Sequence, residues 1–177
     1  MEAKFIYFKV DRYQALSIYD YNEFVRKLIY QFKGCYDYEL YDVFLDGFYS
    51  ALKIRYSGYQ IIPIPSYKDE DEERGFNHVV EIFNKMGLNM QNILVKTEKH
   101  KQATSSFSSR QEVYKFLELK EKPDLTGKAV LLVDDVYTTG ATMKAAITLI
   151  EKLNPKVIKV LVVAKTTIKP EEITNTN

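Results

Sequence analysis

The sequence predicts an α/β fold in which helices flank a central, mainly parallel β-sheet. Two continuous apolar runs, KAVLLVDD (128–135) and KVIKVLVVAK (156–165), are typical of strands buried on both faces. Between them, TMKAAITLIEKLN (142–154) has the apolar spacing of a helix. A strand, a helix and a second strand in this order form a βαβ unit, so we expect the two strands to lie parallel in one sheet.

The N-terminal part of the chain predicts a hairpin and a helix. KFIYFKV (4–10) is rich in residues that favour strands, and YQALSIYDY (13–21) is its candidate hairpin partner. YNEFVRKLIYQF (21–32) has a helical apolar face, with Asn22 as the N-cap and Gly34 as the end of the helix.

Shorter elements follow. YELYDVFLDGFYSALKI (38–54) continues the helical pattern, and YQIIPIP (59–65) predicts a short strand that its prolines stop. HVVEIFNKMG (78–87) predicts a helix closed by a glycine, and QNILVKT (91–97) predicts a strand.

The next segment predicts a loop. EKHKQATSSFSSRQ (98–111) has few apolar residues and many Ser and Thr residues, which indicates a mobile loop. VYKFLELK (113–120) is compatible with either a helix or a strand.

Composition indicates one globular domain. Apolar residues make up 46% of the 177-residue chain and charged residues 28%, and no linker or repeat divides it. The 25 basic and 24 acidic residues leave a net charge of +1, which excludes a strong overall attraction to nucleic acid or membranes.

Cysteine content and the N-terminus bear on location. The single Cys35 excludes an internal disulfide and a cysteine-rich zinc site. No apolar run reaches the ~20 residues of a membrane helix, and charges interrupt the first residues where a signal peptide is apolar. We therefore expect a cytoplasmic protein.

Two acids follow the first buried strand. Asp134 and Asp135 come at its carboxyl end, where open α/β sheets bind ligands. Because burial of an unpaired carboxylate is costly, we expect both at an exposed lip. There they could accept hydrogen bonds from vicinal hydroxyls, as on a ribose, or act on a metal through water.

The six residues after Val136 predict a phosphate site. They lead into a helix N-terminus, where free N–H groups and the helix dipole favour an anion. The residues are Tyr137, Thr138, Thr139, Gly140, Ala141 and Thr142. The glycine lets the backbone approach a ligand closely, and the threonine hydroxyls add donors. No Gly-Lys-Ser/Thr follows, and one glycine is too few for a dinucleotide fingerprint.

Two acids that can bind vicinal hydroxyls, followed by a turn that can bind one phosphate, together indicate a site for a ribose 5-phosphate. The alternative is a strand with solvated acids before a threonine-rich helix cap. The ordered string as a whole favours the ligand site.

VLLVDDVYTTGAT (130–142) resembles the phosphoribosyl pyrophosphate (PRPP) binding motif of type I phosphoribosyltransferases, and its exact residues are most similar to those of the ComF family. The Pro-x-Pro and Arg-Gly-Phe-Asn signature of that family appears as PIPSYKDEDEERGFN (63–77). YNEFVRKLIYQFKGCYDYEL (21–40) resembles the segment that precedes the signature. The resemblance spans residues 21–164.

This resemblance implies a type I phosphoribosyltransferase-like fold with a small N-terminal hood. Residues 1–177 would form one domain, with 1–60 partly the hood and 61–166 the PRPP-binding core. Asp134 and Asp135 would be the catalytic pair that holds the ribose hydroxyls, and residues 137–142 would hold the 5-phosphate.

The resemblance also assigns the leaving group. The pyrophosphate loop would comprise Ser66, Tyr67 and Lys68, with Arg74 as a further candidate. The segment from Gln102 to Arg110 would match the flexible loop that closes over the active site. Mg²⁺ is expected with PRPP, without a direct protein ligand.

Two features depart from the family pattern. ComF proteins usually begin with a cysteine-rich zinc module, and with Cys35 alone we expect that module to be absent. The stretch Asp69–Glu73 is wholly acidic and would repel pyrophosphate. Either these acids face solvent in the first turns of a helix, which we favour because acids suit a helix start, or the loop binds diphosphate poorly.

Several other residues have two interpretations. Arg74 either neutralises a phosphate or pairs within its own acidic run. For Lys33 we favour a solvated side chain over one that reaches the site. Lys99, Lys101 and Arg110 are equally suited to clamping pyrophosphate and to ordinary surface positions.

The histidines and tyrosines are assigned to structure. His78 and His100 have no acid or cysteine partner at metal or triad spacing, so we expect structural or surface roles. The tyrosines fit core packing better than a stacking platform for nucleic acid.

The predicted activity is transfer of a phosphoribosyl group from PRPP to an unknown acceptor, with release of pyrophosphate. The alternative is a non-catalytic nucleotide-binding or single-stranded-DNA-associated accessory protein of DNA uptake. Competence proteins and a second copy of the chain, as a homodimer, are further candidate partners, and no membrane association is expected.

Overall fold

Strands and helices are described for residues 2–97 and 116–167 of the computed structural model. The strands are β1 (Ile6–Val10), β2 (Tyr13–Asp20), β3 (Tyr59–Pro63), β4 (Leu94–Lys96), β5 (Leu117–Leu119), β6 (Ala129–Tyr137) and β7 (Val157–Lys165). The α-helices are α1 (Glu23–Gly34), α2 (Tyr49–Arg55), α3 (Lys68–Arg74), α4 (His78–Asn84) and α5 (Ala141–Glu151), and a 3₁₀ helix covers Tyr38–Asp42.

One five-stranded sheet has the order β1-β2-β7-β6-β3. β2, β7, β6 and β3 run parallel to their neighbours, and only β1 is antiparallel, to β2. β4 and β5 form a separate antiparallel pair. The prediction of a mainly parallel sheet built around a βαβ unit is therefore confirmed.

The N-terminal hairpin belongs to this sheet. β1 and β2 pair as predicted, and β2 then lies beside β7, from Ala15 opposite Val160 to Asp20 opposite Lys165. Residues near both ends of the described chain thus share one layer.

The predicted helices differ in how closely the structure matches them. α1 begins as predicted, because the Asn22 Oδ1 accepts a hydrogen bond from the Val25 amide at 3.0 Å. The continuous helix predicted over 38–54 is wrong. A turn through Gly47, at a φ of +77°, separates the 3₁₀ helix from α2. The ambiguous segment before residue 120 is extended in β5, and the predicted mobile loop at 98–111 lies outside the described residues.

Each face of the sheet has its own core. On one face, Leu131 and Val133 of β6 pack in a buried cluster with residues of α1, α2 and α4. On the other face, Val130 and Leu132 pack with α5 and with β4 and β5. Because side chains alternate along a strand, the two acids that continue β6 must also point to opposite faces.

Within residues 2–97 and 116–167, none of the helices combines the length and apolar character needed to cross a bilayer.

Candidate functional site

The carboxyl ends of the parallel strands bring the predicted site residues to one edge of the sheet. β6 does not stop at the two acids. It stays paired with β7 to its end, with Asp134 opposite Val162 and Tyr137 opposite Lys165. The acids therefore lie in the last paired part of the strand.

Asp135 is buried, with 6% of its surface exposed. Its Oδ2 is 2.9 Å from Lys33 Nζ and 3.2 Å from His78 Nε2, and its Oδ1 accepts from the Val136 amide at 2.7 Å. The prediction of an exposed position at the end of the strand is wrong for Asp135, because strand alternation turns this side chain to the face that α1 and α4 cover. The partners compensate for the cost of burying the carboxylate.

The electrostatics of Asp135 follow from these contacts. Burial alone would raise the pKa of Asp135, but the hydrogen bond from His78 and the charge of Lys33 hold it well below its usual range. Burial would likewise lower the pKa of Lys33, yet the Asp135 carboxylate raises it overall. Both groups are therefore charged at neutral pH.

The favoured interpretation of Lys33 as a solvated side chain is wrong. The residue lies in the last turn of α1, and its ammonium reaches across to Asp135. A cleft of about 470 Å³ borders it, lined by residues of α1 such as Tyr30 and of α3 such as Glu73. The N-terminal helix thus supplies a charge to the site.

His78 has an acid partner, contrary to the sequence-based expectation. It is the first residue of α4, it is buried, and its Nε2 faces Asp135. Its Nδ1 lies 3.2 Å from the Ser66 hydroxyl oxygen and 2.9 Å from Arg74 Nη1. Local spacing could not reveal the acid partner, because Asp135 lies on a strand that is distant in the sequence.

The tautomer of His78 follows from its hydrogen-bonding partners. A guanidinium can only donate, so Nδ1 must accept from Arg74, and the ring proton is assigned to Nε2, which donates to Asp135. Ser66, His78 and Asp135 have the residue types of a nucleophilic triad. However, Arg74 already donates to Nδ1, and the Ser66 hydroxyl is buried, so this serine is not placed to act as a nucleophile.

Arg74 pairs within its own segment. Its Nη1 is 3.1 Å from Asp71 Oδ1, and its Nε donates to the Lys33 carbonyl at 3.0 Å. Asp71 also accepts from the Asn77 amide at 2.7 Å. Of the two interpretations of Arg74, the structure therefore shows the ion pair.

The acidic stretch forms a helix that faces solvent, as favoured from the sequence. Asp69, Glu70, Glu72 and Glu73 of α3 are exposed, and Asp71 is half-buried. Lys68 pairs with Glu72 at 3.1 Å along this helix, and Tyr67 precedes it in extended backbone under the Lys96 ammonium. Four of the five acids are thus exposed to solvent.

Asp134 points to the opposite face of the sheet from Asp135. It is partly exposed, and its Oδ1 accepts from the Asp135 amide at 2.9 Å. Burial, and then the neighbouring charge of Asp135, raise the pKa of Asp134 well above its usual range. The two acids therefore differ in partners, exposure and the charge state that the fold favours.

The turn from β6 to α5 has the predicted glycine conformation. Gly140 has a φ of +76°, and a Cβ atom there would overlap the hydroxyl and ring of Tyr137. The close approach that this glycine permits is thus made by the Tyr137 side chain, whose ring also packs on Phe8 at 4.8 Å. Thr138 and Thr139 are exposed before the helix begins at Ala141.

The remaining sequence candidates divide into two groups. Ser66, Arg74 and Asp135 form one network with Lys33 and His78, whereas Asp134 lies across β6 from it. Other candidates lie outside the described residues: Lys99, His100, Lys101, Gln102 and Arg110.

No cluster of three or more metal-ligating His, Cys, Asp or Glu side chains occurs in the described part of the chain.

Comparison with known proteins places these features in a family context. The profile of the phosphoribosyl transferase domain matches residues 72–176. The chain is 32% identical over 144 residues to the competence protein ComFC of Streptococcus pneumoniae, covering 81% of this chain and 64% of that protein. It is 30% identical over 142 residues to ComFC of Bacillus subtilis, covering 78% and 59%. The chain thus spans about three fifths of the length of these relatives.

Solved structures with similar folds were also found. A hypoxanthine-guanine phosphoribosyltransferase from Bacillus anthracis aligns with a TM-score of 0.46 at 15% identity, covering 75% of this chain and 71% of that one. An adenine phosphoribosyltransferase from Saccharomyces cerevisiae aligns with a TM-score of 0.43 at 18% identity, covering 72% and 69%.

Proposed function

The chain belongs to the phosphoribosyl transferase domain family, and from that premise we propose that it binds PRPP or ribose 5-phosphate and transfers the phosphoribosyl group to an acceptor, releasing pyrophosphate. The observation that carries the proposal is the end of β6, where two acids precede the turn that begins α5. Open parallel sheets bind ligands at this edge.

Each part of this edge has a chemical task in the proposal. Asp134, the partly exposed acid, accepts hydrogen bonds from the ribose hydroxyls, and Asp135, which already accepts from Lys33, His78 and the Val136 amide, keeps one acceptor position for the same ligand. The turn residues 137–142 take the 5-phosphate at the start of α5, an 11-residue helix whose dipole favours an anion. The exposed hydroxyls of Thr138 and Thr139 add donors.

The leaving group would be held at the loop after β3. The backbone of Ser66, Tyr67 and Lys68 would meet the diphosphate, and the exposed Lys68 adds a positive charge. Arg74 would not contact the diphosphate directly, because its guanidinium is already paired with Asp71. Mg²⁺ bound to the diphosphate would neutralise charge that develops on the leaving group. Closure by the segment from Gln102 to Arg110 stays a prediction.

The reaction needs no protein nucleophile. A transition state with positive charge at C1 of the ribose would be favoured by positioning and by exclusion of water. The acceptor is proposed to approach from α1, because the cleft beside Lys33 borders the Asp135 network.

Calorimetry with PRPP and Mg²⁺ tests the shared binding step. We expect saturable binding of PRPP and of ribose 5-phosphate, and a loss of at least tenfold in affinity in Asp134→Asn. Glu121→Gln, at an exposed acid, is the matched control and should bind as the unmodified chain does. If neither ligand produces a heat change, the proposed site does not exist.

A second assay separates transfer from binding. Purine and pyrimidine bases would be screened one by one for pyrophosphate release in the presence of PRPP and Mg²⁺. Release with one base establishes transfer and names the acceptor. Binding without release from any base supports the alternative, a non-catalytic nucleotide-binding protein.

The names of the ComFC relatives favour a second candidate function in DNA uptake. In this proposal the chain is an accessory protein that associates with single-stranded DNA. Its net charge of +1 lends no independent support. Binding of a single-stranded oligonucleotide that weakens steeply with salt would support this role, and no binding at low salt would rule it out.

A further inference from the structure

Resting on the proposed function, we propose that His78 is a positioning residue that joins the loop after β3 to the acid pair of β6. One ring nitrogen contacts each element, so the pyrophosphate side and the ribose side of the site are oriented by one side chain.

The contacts define two arms. In the acid arm, Nε2 lies 3.2 Å from Asp135 Oδ2. In the loop arm, Nδ1 lies 3.2 Å from the Ser66 hydroxyl oxygen. The three side chains are each less than 9% exposed, so water does not readily replace a lost partner.

The backbone of His78 is fixed independently of its ring. Asn77 caps α4, with its Oδ1 accepting from the Val80 amide at 3.0 Å. The Asn77 side-chain Nδ2 also donates to Asp71 Oδ2. The ring is therefore attached to a fixed position at the start of α4, so its two nitrogens can orient the side chains of Asp135 and Ser66.

Lys33 and Arg74 are positive, and Asp135 and Asp71 are negative, in two ion pairs that flank the ring. Arg74 donates to Nδ1, which leaves Nε2 as the donor to Asp135. The hydrogen bonds thus run from α3 through the ring to β6, and the Ser66 hydroxyl oxygen contacts the same Nδ1.

Replacing a residue that merely fills space would affect both arms equally. Replacing a residue that orients both elements can remove one arm and leave the other. His78→Asn keeps a polar atom near the position of Nδ1 and loses the acid arm. His78→Gln keeps a donor near the position of Nε2 and loses the loop arm. His78→Phe removes both arms while retaining a ring.

The probes are ribose 5-phosphate for the acid arm and inorganic pyrophosphate with Mg²⁺ for the loop arm, both measured by calorimetry. His78→Asn should weaken ribose 5-phosphate roughly tenfold and change pyrophosphate little. His78→Gln should show the opposite pattern, and His78→Phe should weaken both. Equal losses of both ligands in the Asn and Gln variants would overturn the proposal.

A measurement without ligand keeps the inference separate from the proposed function. Two-bond ¹⁵N–¹H spectra report which nitrogen of each histidine carries the proton, and the signal absent in His78→Asn identifies His78. His100→Asn, at the second of the two histidines, is the matched control. We expect Nε2 to carry the proton, because Nδ1 accepts from Arg74.

The two failures are distinguishable. If the unmodified chain binds neither probe, the proposed function fails, and the spectra alone decide the inference. A proton on Nδ1, or on both nitrogens, would mean that Arg74 and Ser66 do not donate to the ring, and His78 would not join the two elements.

Discussion

At the scale of single residues, one step along β6 separates two acids with different roles. Asp135 is buried and pairs with the buried His78 and the half-exposed Lys33, whereas Asp134 stays partly exposed on the other face. A carboxylate in the fold is favoured when its partners are charged or donate hydrogen bonds, and disfavoured when burial is uncompensated. The two positions therefore have opposite effects on stability.

Asp134→Asn is expected to stabilise the folded chain at neutral pH, by on the order of 1 kcal/mol. Burial raises the pKa of Asp134, so the fold favours its neutral form, and an amide imitates that form. A raised pKa contributes stability below the unfolded value of about 3.9, and this contribution is lost as the pH rises through the folded pKa.

Urea denaturation at several pH values measures this effect. The gain in the free energy of unfolding should be largest at pH 7 and shrink toward acid. Lower stability of the variant at pH 7 would show that the carboxylate is not disfavoured in the fold. A gain in stability together with weaker PRPP binding is the expected pattern for a residue retained for function.

Asp135→Asn is expected to destabilise the chain at pH 7 by about 1–3 kcal/mol, because Lys33 and His78 lose a charged acceptor. The lowered pKa of Asp135 contributes stability above the unfolded value of about 3.9, which is lost as the pH falls further toward the folded pKa. The acid limb of the stability curve, measured by urea denaturation below about pH 4, should therefore flatten in the variant. Asp69→Asn, on the exposed face of α3, serves as the control, and an unchanged acid limb in Asp135→Asn would contradict the assignment.

The sequence predicts the motif at the end of β6 but not the residues that pair with it, and there is a physical cause for each. The acids and the turn after them are local, so strand-end chemistry and helix dipoles act within a few neighbouring residues. Lys33 and His78 join the site only through the packing of α1 and α4 on the sheet. Asp135 is buried because β6 extends to Tyr137, so the alternation of side chains along the strand continues through both acids and turns Asp135 to a covered face.

At the scale of elements, the turn between β6 and α5 combines a backbone requirement with a steric one. Gly140 takes a left-handed φ, and Tyr137 packs against its Cα, where a side chain would lie. The sequence suggested the glycine for approach by a ligand. The tyrosine three residues earlier makes that approach within the fold, so the turn is fixed before any ligand binds.

Gly140→Ala is expected to lower the free energy of unfolding by about 2–4 kcal/mol, from left-handed strain of about 1–2 kcal/mol and displacement of Tyr137. Gly127→Ala is the matched control, because Gly127 has a φ of +74° and, apart from its two chain neighbours, no described residue lies within 4 Å of the point that an alanine Cβ would occupy. The control should show the strain alone, about 1–2 kcal/mol.

A second substitution tests the source of the additional effect. In a Tyr137→Ala background, the destabilisation by Gly140→Ala should fall to that of Gly127→Ala, as measured by a double-mutant cycle in urea. A penalty for Gly140→Ala that is independent of Tyr137 would show that the ring does not pack against this glycine.

At the scale of the whole molecule, the sheet order connects the two ends of the described chain. The apolar runs of β6 and β7 predicted the centre of the sheet, because strands buried on both faces need no alternation. The placement of β2 beside β7 carried no such signal, since parallel pairing between distant segments depends on the packing of both faces. The N-terminal hairpin is thus part of the main sheet, and the division of residues 1–60 from 61–166 stays a prediction.

This sheet order predicts that the first sixty residues unfold together with the rest of the chain. Eleven of the fourteen tyrosines lie in residues 1–60, and the chain has no tryptophan, so tyrosine fluorescence reports mainly on that part. Far-ultraviolet circular dichroism reports on the backbone of the whole chain. The two signals should give the same urea midpoint and the same slope, because β7 loses one of its two partner strands if β2 leaves. Amide exchange should likewise protect Ser17 of β2 and Val162 of β7 with equal free energies. A tyrosine transition at lower urea, or weaker protection of β2, would show that the N-terminal segment opens as a unit of its own.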